Sequence, residues 1–139
     1  MAVFLNNGVG VKINDVDISD HVSAASLLNQ FDELEVSAMG DTAHKYVAGL
    51  SSGTFTISVF NDNAASNVTA TLNSAIGTTV TCKLLQQKGV AVSATNPLYT
   101  FSVLVNKLTP INGSVQELST QDLTFTLNST VTVSSSGTF

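Results

Sequence analysis

The sequence of 139 residues contains no tryptophan, no arginine and a single cysteine. Cys82 therefore has no partner for an intramolecular disulfide, which excludes a disulfide-stapled fold and is typical of a reducing cytoplasm. No apolar stretch approaches the roughly 20 residues that cross a membrane, and the apolar run at residues 1–5 is too short for a signal peptide. We expect one domain over residues 1–139 and no membrane partner.

Charge is also scarce, since only 11% of the residues are charged against about 25% in typical domains. The formal net charge is −5, and all basic residues are lysines scattered along the chain: Lys12, Lys45, Lys83, Lys88 and Lys107. A DNA-binding protein needs clustered basic residues that displace counterions from phosphates. The composition excludes a DNA-binding function, but it suits a surface that DNA passes without specific binding.

Short uncharged polar residues are abundant instead: 17 Ser, 17 Thr and 12 Asn together make 46 of the 139 residues. Valine also occurs 17 times, and Val and Thr favour a pleated, half-buried surface. A free monomer usually keeps more charge for solubility. The composition therefore indicates a β-protein with much of its surface buried against other subunits.

Alternating apolar and polar residues predict seven or eight strands. The segments are residues 9–18 with a turn at Asn14-Asp15, then 21–31, 54–60, 80–84, 98–108, 115–127 and 131–133, with 32–38 as a further candidate. Residues 62–76 have helical spacing and predict one helix that is capped by Asp62 or Asn63 and ended by Gly77. The expected fold is mainly β, a β-sandwich or partly closed barrel with one flanking α-helix.

Residues 39–53 fit neither period and are punctuated by Gly40, Gly49 and Gly53. The stretch predicts a long irregular loop, and such loops in compact domains tend to be functional.

The residues that could carry chemistry are few and dispersed. His21 and His44 lie 23 residues apart in different predicted elements, and with one cysteine they match poorly the three or four suitably spaced ligands of a zinc site. A nucleophilic pair of Cys82 with a histidine needs only that the two meet in space, but Cys82 falls on the apolar face of a predicted strand, where a structural thiol is expected. The acidic residues form two groups that lack a calcium-loop pattern and are expected to be solvated turn charges: Asp15, Asp17 and Asp20, and Asp32, Glu33 and Glu35. We expect no enzyme activity, no catalytic or metal site, and no cofactor.

Several short motifs occur in a fixed order between residues 11 and 127. They are Asp17-Ile18-Ser19-Asp20-His21-Val22, Met39-Gly40-Asp41-Thr42-Ala43, Ala48-Gly49-Leu50, and residues 77–80, 94–100 and 113–118. In this order they resemble the major tail (tail tube) protein family of long, non-contractile-tailed bacteriophages, best known among phages of actinobacteria. Where that family has an arginine after the aspartate-threonine-alanine motif, this chain has His44 and Lys45, so a salt bridge made by that arginine is not carried over to this chain.

The resemblance implies a structural virion protein with a tail-tube-like β-sandwich, assembled in the host cytoplasm. Its subunits would form hexameric rings that stack into a tail tube, the conduit through which DNA is ejected. Its partners would be itself, the tape measure, terminator and distal tail proteins, and DNA in the lumen. It also implies a long inter-subunit contact loop, here Met39, Gly40, Asp41, Thr42, Ala43, His44, Lys45, Tyr46, Val47, Ala48, Gly49 and Leu50.

Two alternatives remain open. Another virion structural protein, such as a tail terminator, a neck protein or a capsid decoration protein, could share this composition. An immunoglobulin-like binding module fits less well, because the sequence lacks the tryptophan and the cysteine pair that mark such domains.

Overall fold

A computed structural model describes residues 6–139, and the signal-peptide interpretation of residues 1–5 concerns a segment outside the described residues. Within residues 6–139, eight antiparallel strands form one sheet that does not close, with the order β2-β1-β5-β6-β7-β4-β3 and with β8 beside β6. The strands are β1 (Gly10–Ile13), β2 (Val16–Asp17), β3 (Val22–Glu35), β4 (Tyr46–Phe60), β5 (Thr79–Leu85), β6 (Leu98–Leu104), β7 (Thr120–Leu127) and β8 (Thr132–Ser134). The described chain has a single α-helix, α1 (Val68–Ala75). The prediction of a mainly β fold with one helix is confirmed.

One hydrophobic core lies between the two halves of this sheet. Alternate side chains of each strand point into it, and its members are buried: Val11, Ile13, Phe55, Ile57, Val59, Cys82, Phe101, Val103, Leu123 and Phe125. The rings of Phe55 in β4 and Phe101 in β6 meet edge to face with their centroids 5.2 Å apart. This aromatic pair joins the β4–β7 half of the sheet to the β5–β6 half.

The tight turn predicted at Asn14-Asp15 is confirmed. Both residues have positive φ, 51° and 64°, and the flanking pairs are Ile13 with Val16 and Lys12 with Asp17. A two-residue turn with two positive φ angles matches the twist of a β-hairpin and favours Asn and Asp.

The helix is shorter than predicted, and the predicted start at residue 62 is wrong. It begins at Val68 after the N-cap residue Asn67, because Asp62 folds the preceding residues into a turn. Its carboxylate accepts hydrogen bonds from the backbone N–H of Ala64 and from Asn67 Nδ2, both at 2.8 Å. The buried face of the helix consists of Val68, Thr71, Leu72 and Ala75. Gly77 follows the helix with φ of +78°, as predicted.

The region from residue 21 to residue 60 departs most from the prediction. Residues 22–35 form one continuous strand, so the separate strand proposed at 32–38 is wrong. The irregular loop predicted at 39–53 is wrong from Tyr46 onward, because β4 begins there and pairs with β3. Gly53 lies inside that pairing, where a Cβ atom would collide with the carbonyl oxygen of Leu28. Glycine at position 53 therefore marks a close approach of two strands rather than a loop.

Candidate assembly surfaces

Strands β3 and β4 extend well beyond the rest of the sheet. β7 pairs with β4 only from Thr54 to Phe60, whereas residues 46–53 of β4 pair with β3 within the described sheet. Residues 29–35 and 46–53 thus form a two-stranded ribbon, which residues 36–45 close at its far end. We call residues 29–53 the arm. At about 3.3 Å per residue, its paired part projects roughly 25 Å.

The arm exposes large apolar side chains. Phe31 is 57% exposed, Leu50 is 82% exposed and Met39 at the tip is fully exposed. Further exposed apolar residues of the arm are Leu34, Val36, Tyr46 and Val47. A two-stranded hairpin is marginally stable in water by itself, and a contiguous exposed apolar patch marks an interaction site. The arm therefore has the properties of a segment that is completed by a partner surface.

The tip of the arm is held by specific polar contacts. Lys45 Nζ lies 3.0 Å from Asp41 Oδ1, and His44 Nδ1 lies 3.0 Å from Glu35 Oε1. The backbone N–H of Ala38 donates to Asp41 Oδ2 at 2.7 Å. That hydrogen bond, followed by the one from Lys45, holds the pKa of Asp41 below its ordinary value. The tip therefore contains an ion pair that the resemblance did not predict.

The structure places the twelve predicted contact residues in two settings. Met39–Lys45 lie in the tip, whereas Tyr46–Leu50 lie on strand β4. Ten of the twelve are exposed, and Asp41 and Gly49 are half-buried. Their role in subunit contact stays a prediction. Sequence reasoning missed Phe31 and Leu34 on the facing strand, although their position beside the acidic group is a signal of an exposed strand.

A second exposed apolar surface lies at the opposite end of β4. Residues 105–119, the β6–β7 connection, carry Ile111 at 96%, Val115 at 91% and Leu118 at 75% exposure. Ser119 adjoins Asn61, the residue after β4, through a backbone hydrogen bond of 2.9 Å. The sequence predicted strands over residues 98–108 and 115–127, and both extend too far into this connection, because β6 ends at Leu104 and β7 begins at Thr120. The sequence gave no indication of an apolar surface here.

The base of this connection is fixed by two side-chain amides, of which Gln121 is buried and Asn61 is half-buried. Gln121, which is 1% exposed, accepts a hydrogen bond from the backbone N–H of Thr109 at 3.0 Å and donates to Asn61 Oδ1 at 2.6 Å. Asn61 Nδ2 donates in turn to Ser119 Oγ at 2.7 Å. Both ends of the connection are therefore tied to the end of β4, while its apolar side chains remain in solvent.

A third surface is the outward face of β3, β4 and β7, which we call the hydroxyl face. The side chains lie in cross-strand rows of Ser26, Thr56 and Thr124, then Leu28, Thr54 and Thr126, then Ala24, Ser58 and Asp122. The hydroxyls of Thr56 and Thr124 lie 3.3 Å apart. These three rows contain one carboxylate and no lysine.

The residues considered for chemistry fall into separate contacts. His21 Nε2 lies 2.9 Å from Asp62 Oδ2, and its Nδ1 lies 3.0 Å from Asp20 Oδ1. Asp17 pairs with Lys88 Nζ at 2.8 Å, so it is not the purely solvated turn charge that the sequence predicted. Partial burial acts to raise the pKa of Asp17, but hydrogen bonds from Lys88 and from Ser19 outweigh it and keep the pKa below its ordinary value.

Cys82 is fully buried in the core, and burial raises the pKa of its thiol to about 12. Across residues 6–139, no three His, Cys, Asp or Glu side chains converge into a metal-binding group. The part of the chain that the structure describes also contains no helix long and apolar enough to cross a membrane. A cavity of about 310 Å³ between β3 and β6 is lined by apolar and neutral side chains, including Leu27, Leu84 and Tyr99.

The architecture that these features define is an open antiparallel sheet with one short helix and a projecting two-stranded arm. Chains of solved assemblies have a similar overall fold. A chain in the virion of a native gene transfer agent particle superposes with a TM-score of 0.74 at 7% identity, over 95% of this chain and 99% of that one. A chain in the tail of an empty gene transfer agent particle, solved with C6 symmetry, gives a TM-score of 0.61 at 11% identity, over 82% of each chain.

A third similar structure is a chain in the six-fold symmetrised baseplate of the anti-feeding prophage, with a TM-score of 0.54 at 10% identity, over 91% of this chain and 90% of that one. No protein-family model and no curated protein sequence matches this chain. At such low identities, the similarity shows that the fold is shared with chains of tail-like particles.

Proposed function

We propose that this chain is a non-enzymatic structural subunit of a phage-tail-like particle, in which copies form hexameric rings that stack into a tail tube. The observation that carries the proposal is the arm. It exposes apolar residues on both strands, in a fold that is shared with a chain of a tail solved with C6 symmetry. An arm of this kind is a liability in a monomer and a contact surface in a polymer.

The outer edge of β3 supports contacts between neighbours in a ring. β3 is the last strand in the sheet order, and its 14 residues have no strand partner on that side within the described chain. An unpaired edge of this length is a template for another strand. Pairing along this edge would continue the sheet from one subunit to the next, as β-augmentation does in other complexes.

The hydroxyl face supports the role of a conduit. DNA affinity comes from basic residues that replace counterions, and the three rows of this face carry no lysine and a single carboxylate, Asp122. Short hydroxyl side chains such as Thr56 and Thr124 keep the face wet and nearly neutral. With this face turned toward the lumen, DNA would pass without being held.

Electron microscopy of the purified chain, over a range of concentrations, tests the proposal. We expect six-fold rings and smooth tubes. A matched variant replaces residues 31–51 by Asn-Gly, so that Gln30 and Ser52, which are paired in the ribbon, are joined by a two-residue turn. It should remain folded by circular dichroism and fail to form tubes. A wild-type chain that stays monomeric at every concentration overturns the proposal.

The baseplate chain favours a second candidate, a subunit of a single terminal ring such as a terminator. That structure has the same fold in a six-fold assembly that is a baseplate. The same micrographs distinguish the candidates, because a terminal-ring subunit stops at one ring at concentrations where a tube subunit continues to stack.

A further inference from the structure

We infer that the β6–β7 connection, residues 105–119, is the surface on which the arm of a second copy docks, so that stacked copies contact each other head to tail. The inference rests on the proposed function and adds to it the receptor surface for the arm. Three observations carry it: the position of the two apolar surfaces, the hydrogen-bonded base of the connection with its exposed side chains, and the charges of the two surfaces.

The two apolar surfaces lie at opposite ends of the same strand. β4 begins at Tyr46 in the arm and ends at Phe60, next to Asn61, which binds Ser119 of the connection. Fourteen steps of about 3.3 Å separate these ends by roughly 46 Å. The arm of one copy therefore cannot reach its own connection. A contact between the two surfaces must join different copies, and such a heterologous contact repeats as a closed ring or as an open stack. Because the two surfaces lie at opposite ends of one strand, we infer the open stack along the direction of that strand.

The connection is preorganised for docking. Gln121 and Asn61 hold both of its ends, and Glu117 Oε2 accepts a hydrogen bond from the backbone N–H of Ser114 at 3.1 Å within the loop. Ile111, Val115 and Leu118 nevertheless stay at least 75% exposed. Because the backbone is already ordered, a partner that covers these side chains would meet a reduced entropy cost.

The connection carries two charges, Lys107 and Glu117, and the Glu117 carboxylate accepts the backbone N–H of Ser114 inside the loop, which leaves Lys107 to meet a charge of the arm. Asp32 and Glu33 on the arm are exposed, and Lys107 of the connection is exposed four residues before Ile111. None of the three takes part in an ion pair within residues 6–139. The other charges of the arm tip, Lys45 with Asp41 and His44 with Glu35, are already paired. Lys107 of one copy can therefore meet the acidic pair of the next.

Disulfide trapping tests the contact directly. The double variant Met39→Cys/Ile111→Cys places one thiol at the arm tip and one on the connection, while the native Cys82 is buried. Under mild oxidation of assembled protein, we expect a ladder of cross-linked multimers on a denaturing gel. Each single variant should give dimers at most. The control Met39→Cys/Val90→Cys uses an exposed apolar residue outside both surfaces and should give no ladder.

Substitution of the connection gives an independent test. Ile111→Asp and Leu118→Asp should each raise the critical concentration for tubes about tenfold or more, because each removes an apolar side chain that docking would bury. Six-fold rings should persist in both variants. Val90→Asp should leave tubes unchanged. Lys107→Glu should weaken stacking, and Asp32→Lys/Glu33→Lys in the same chain should restore it.

The outcomes separate this inference from the proposed function. Two results would overturn the docking surface and leave the tube proposal standing. One is that the double-cysteine variant forms normal tubes but gives no ladder, and the other is that Ile111→Asp forms tubes as stable as those of the wild type. Efficient cross-linking of Met39→Cys alone shows tip-to-tip contact and also overturns it. A ladder without rings supports the head-to-tail contact and overturns the hexameric ring. Absence of both assembly and ladder overturns both.

Discussion

His21 and Asp62 lie 41 residues apart in the sequence, and His21 Nε2 is 2.9 Å from Asp62 Oδ2. The other ring nitrogen, Nδ1, is 3.0 Å from Asp20 Oδ1. The contact ties the start of β3 to the segment that follows β4, at the end of the sheet where the β6–β7 connection also lies.

Removal of the imidazole should loosen this tie. We expect His21→Phe to lower the thermal midpoint by a few degrees, because Asp62 loses one of its polar partners and the two segments lose a cross-link. The measurement is thermal unfolding by circular dichroism at pH 6. His44→Phe is the matched control, since His44 pairs with Glu35 on the exposed arm and should change the midpoint little. Equal effects of the two variants would contradict this role of His21.

Acid should weaken the fold through three aspartates. Backbone N–H donors at Ala38 and Ala64 are the main causes that lower the pKa of Asp41 and of Asp62, and hydrogen bonds outweigh burial at Asp17. A carboxyl whose pKa is lower in the folded chain than its ordinary value of 3.8 stabilises the fold at pH values above 3.8. That contribution is lost as the pH falls through the folded pKa.

The corresponding measurement is the urea midpoint from pH 7 to pH 2.5. We expect it to be flat down to about pH 5 and to fall below about pH 4. The triple variant Asp17→Asn/Asp41→Asn/Asp62→Asn should start lower at pH 7 and fall less in acid. A wild-type midpoint that does not change between pH 5 and pH 2.5 would contradict the prediction.

Gly53 should tolerate no side chain. Its Cβ position collides with the Leu28 carbonyl oxygen in the neighbouring strand, and relief of that collision requires β3 and β4 to separate at the base of the arm. We expect Gly53→Ala to destabilise the chain by about 1–3 kcal/mol, measured by urea unfolding. Gly89→Ala is the control, because a Cβ there meets no atom within 4 Å. Similar stability of the two variants would show that the strands adjust freely.

Much of the fold could be predicted from the sequence, because alternation directly reports which side of a strand faces the core. The alternation within residues 54–60 predicts that Phe55, Ile57 and Val59 share one face of the strand, and all three are fully buried. The same holds for Leu123 and Phe125 in β7. Each of these strands has one face in the core and one in solvent, which is the condition under which a period of two is readable.

The arm could not be predicted, because both of its faces lie in solvent. Tyr46 and Val47 are adjacent in β4 and are both about half exposed, so no face has to be apolar and no alternation is required. Gly49 and Gly53 then suggested a loop, whereas the structure places both in strand β4 and pairs Gly53 with Asn29 of β3. The connection near Ile111 was missed for a similar reason, since its order comes from Gln121 and Asn61 rather than from a local pattern.

The Cys82 thiol should be unreactive toward thiol reagents in the native chain. A thiol whose pKa is raised to about 12 by burial holds roughly one thiolate per ten thousand molecules at pH 8, and the thiolate is the reactive form. We expect labelling by a thiol reagent only after denaturation in urea. Cys82→Ala should assemble as the wild type does. Rapid labelling of the native chain would show that this part of the core opens.

Substitution of Phe31 and substitution of Phe101 should affect assembly and stability differently. Phe101 is buried against Phe55, so Phe101→Ala should lower the free energy of unfolding by about 3–5 kcal/mol. Phe31 is 57% exposed on the arm, so Phe31→Ala should change that free energy by less than about 0.5 kcal/mol.

In assembly the order should reverse. If another copy covers the arm, the loss of an aromatic anchor at Phe31 should raise the critical concentration for rings or tubes by about tenfold or more. Unfolding in urea below the assembly concentration and sedimentation above it measure the two effects separately. A Phe31→Ala chain that assembles at the wild-type concentration would mean that this face of the arm stays in solvent in the particle.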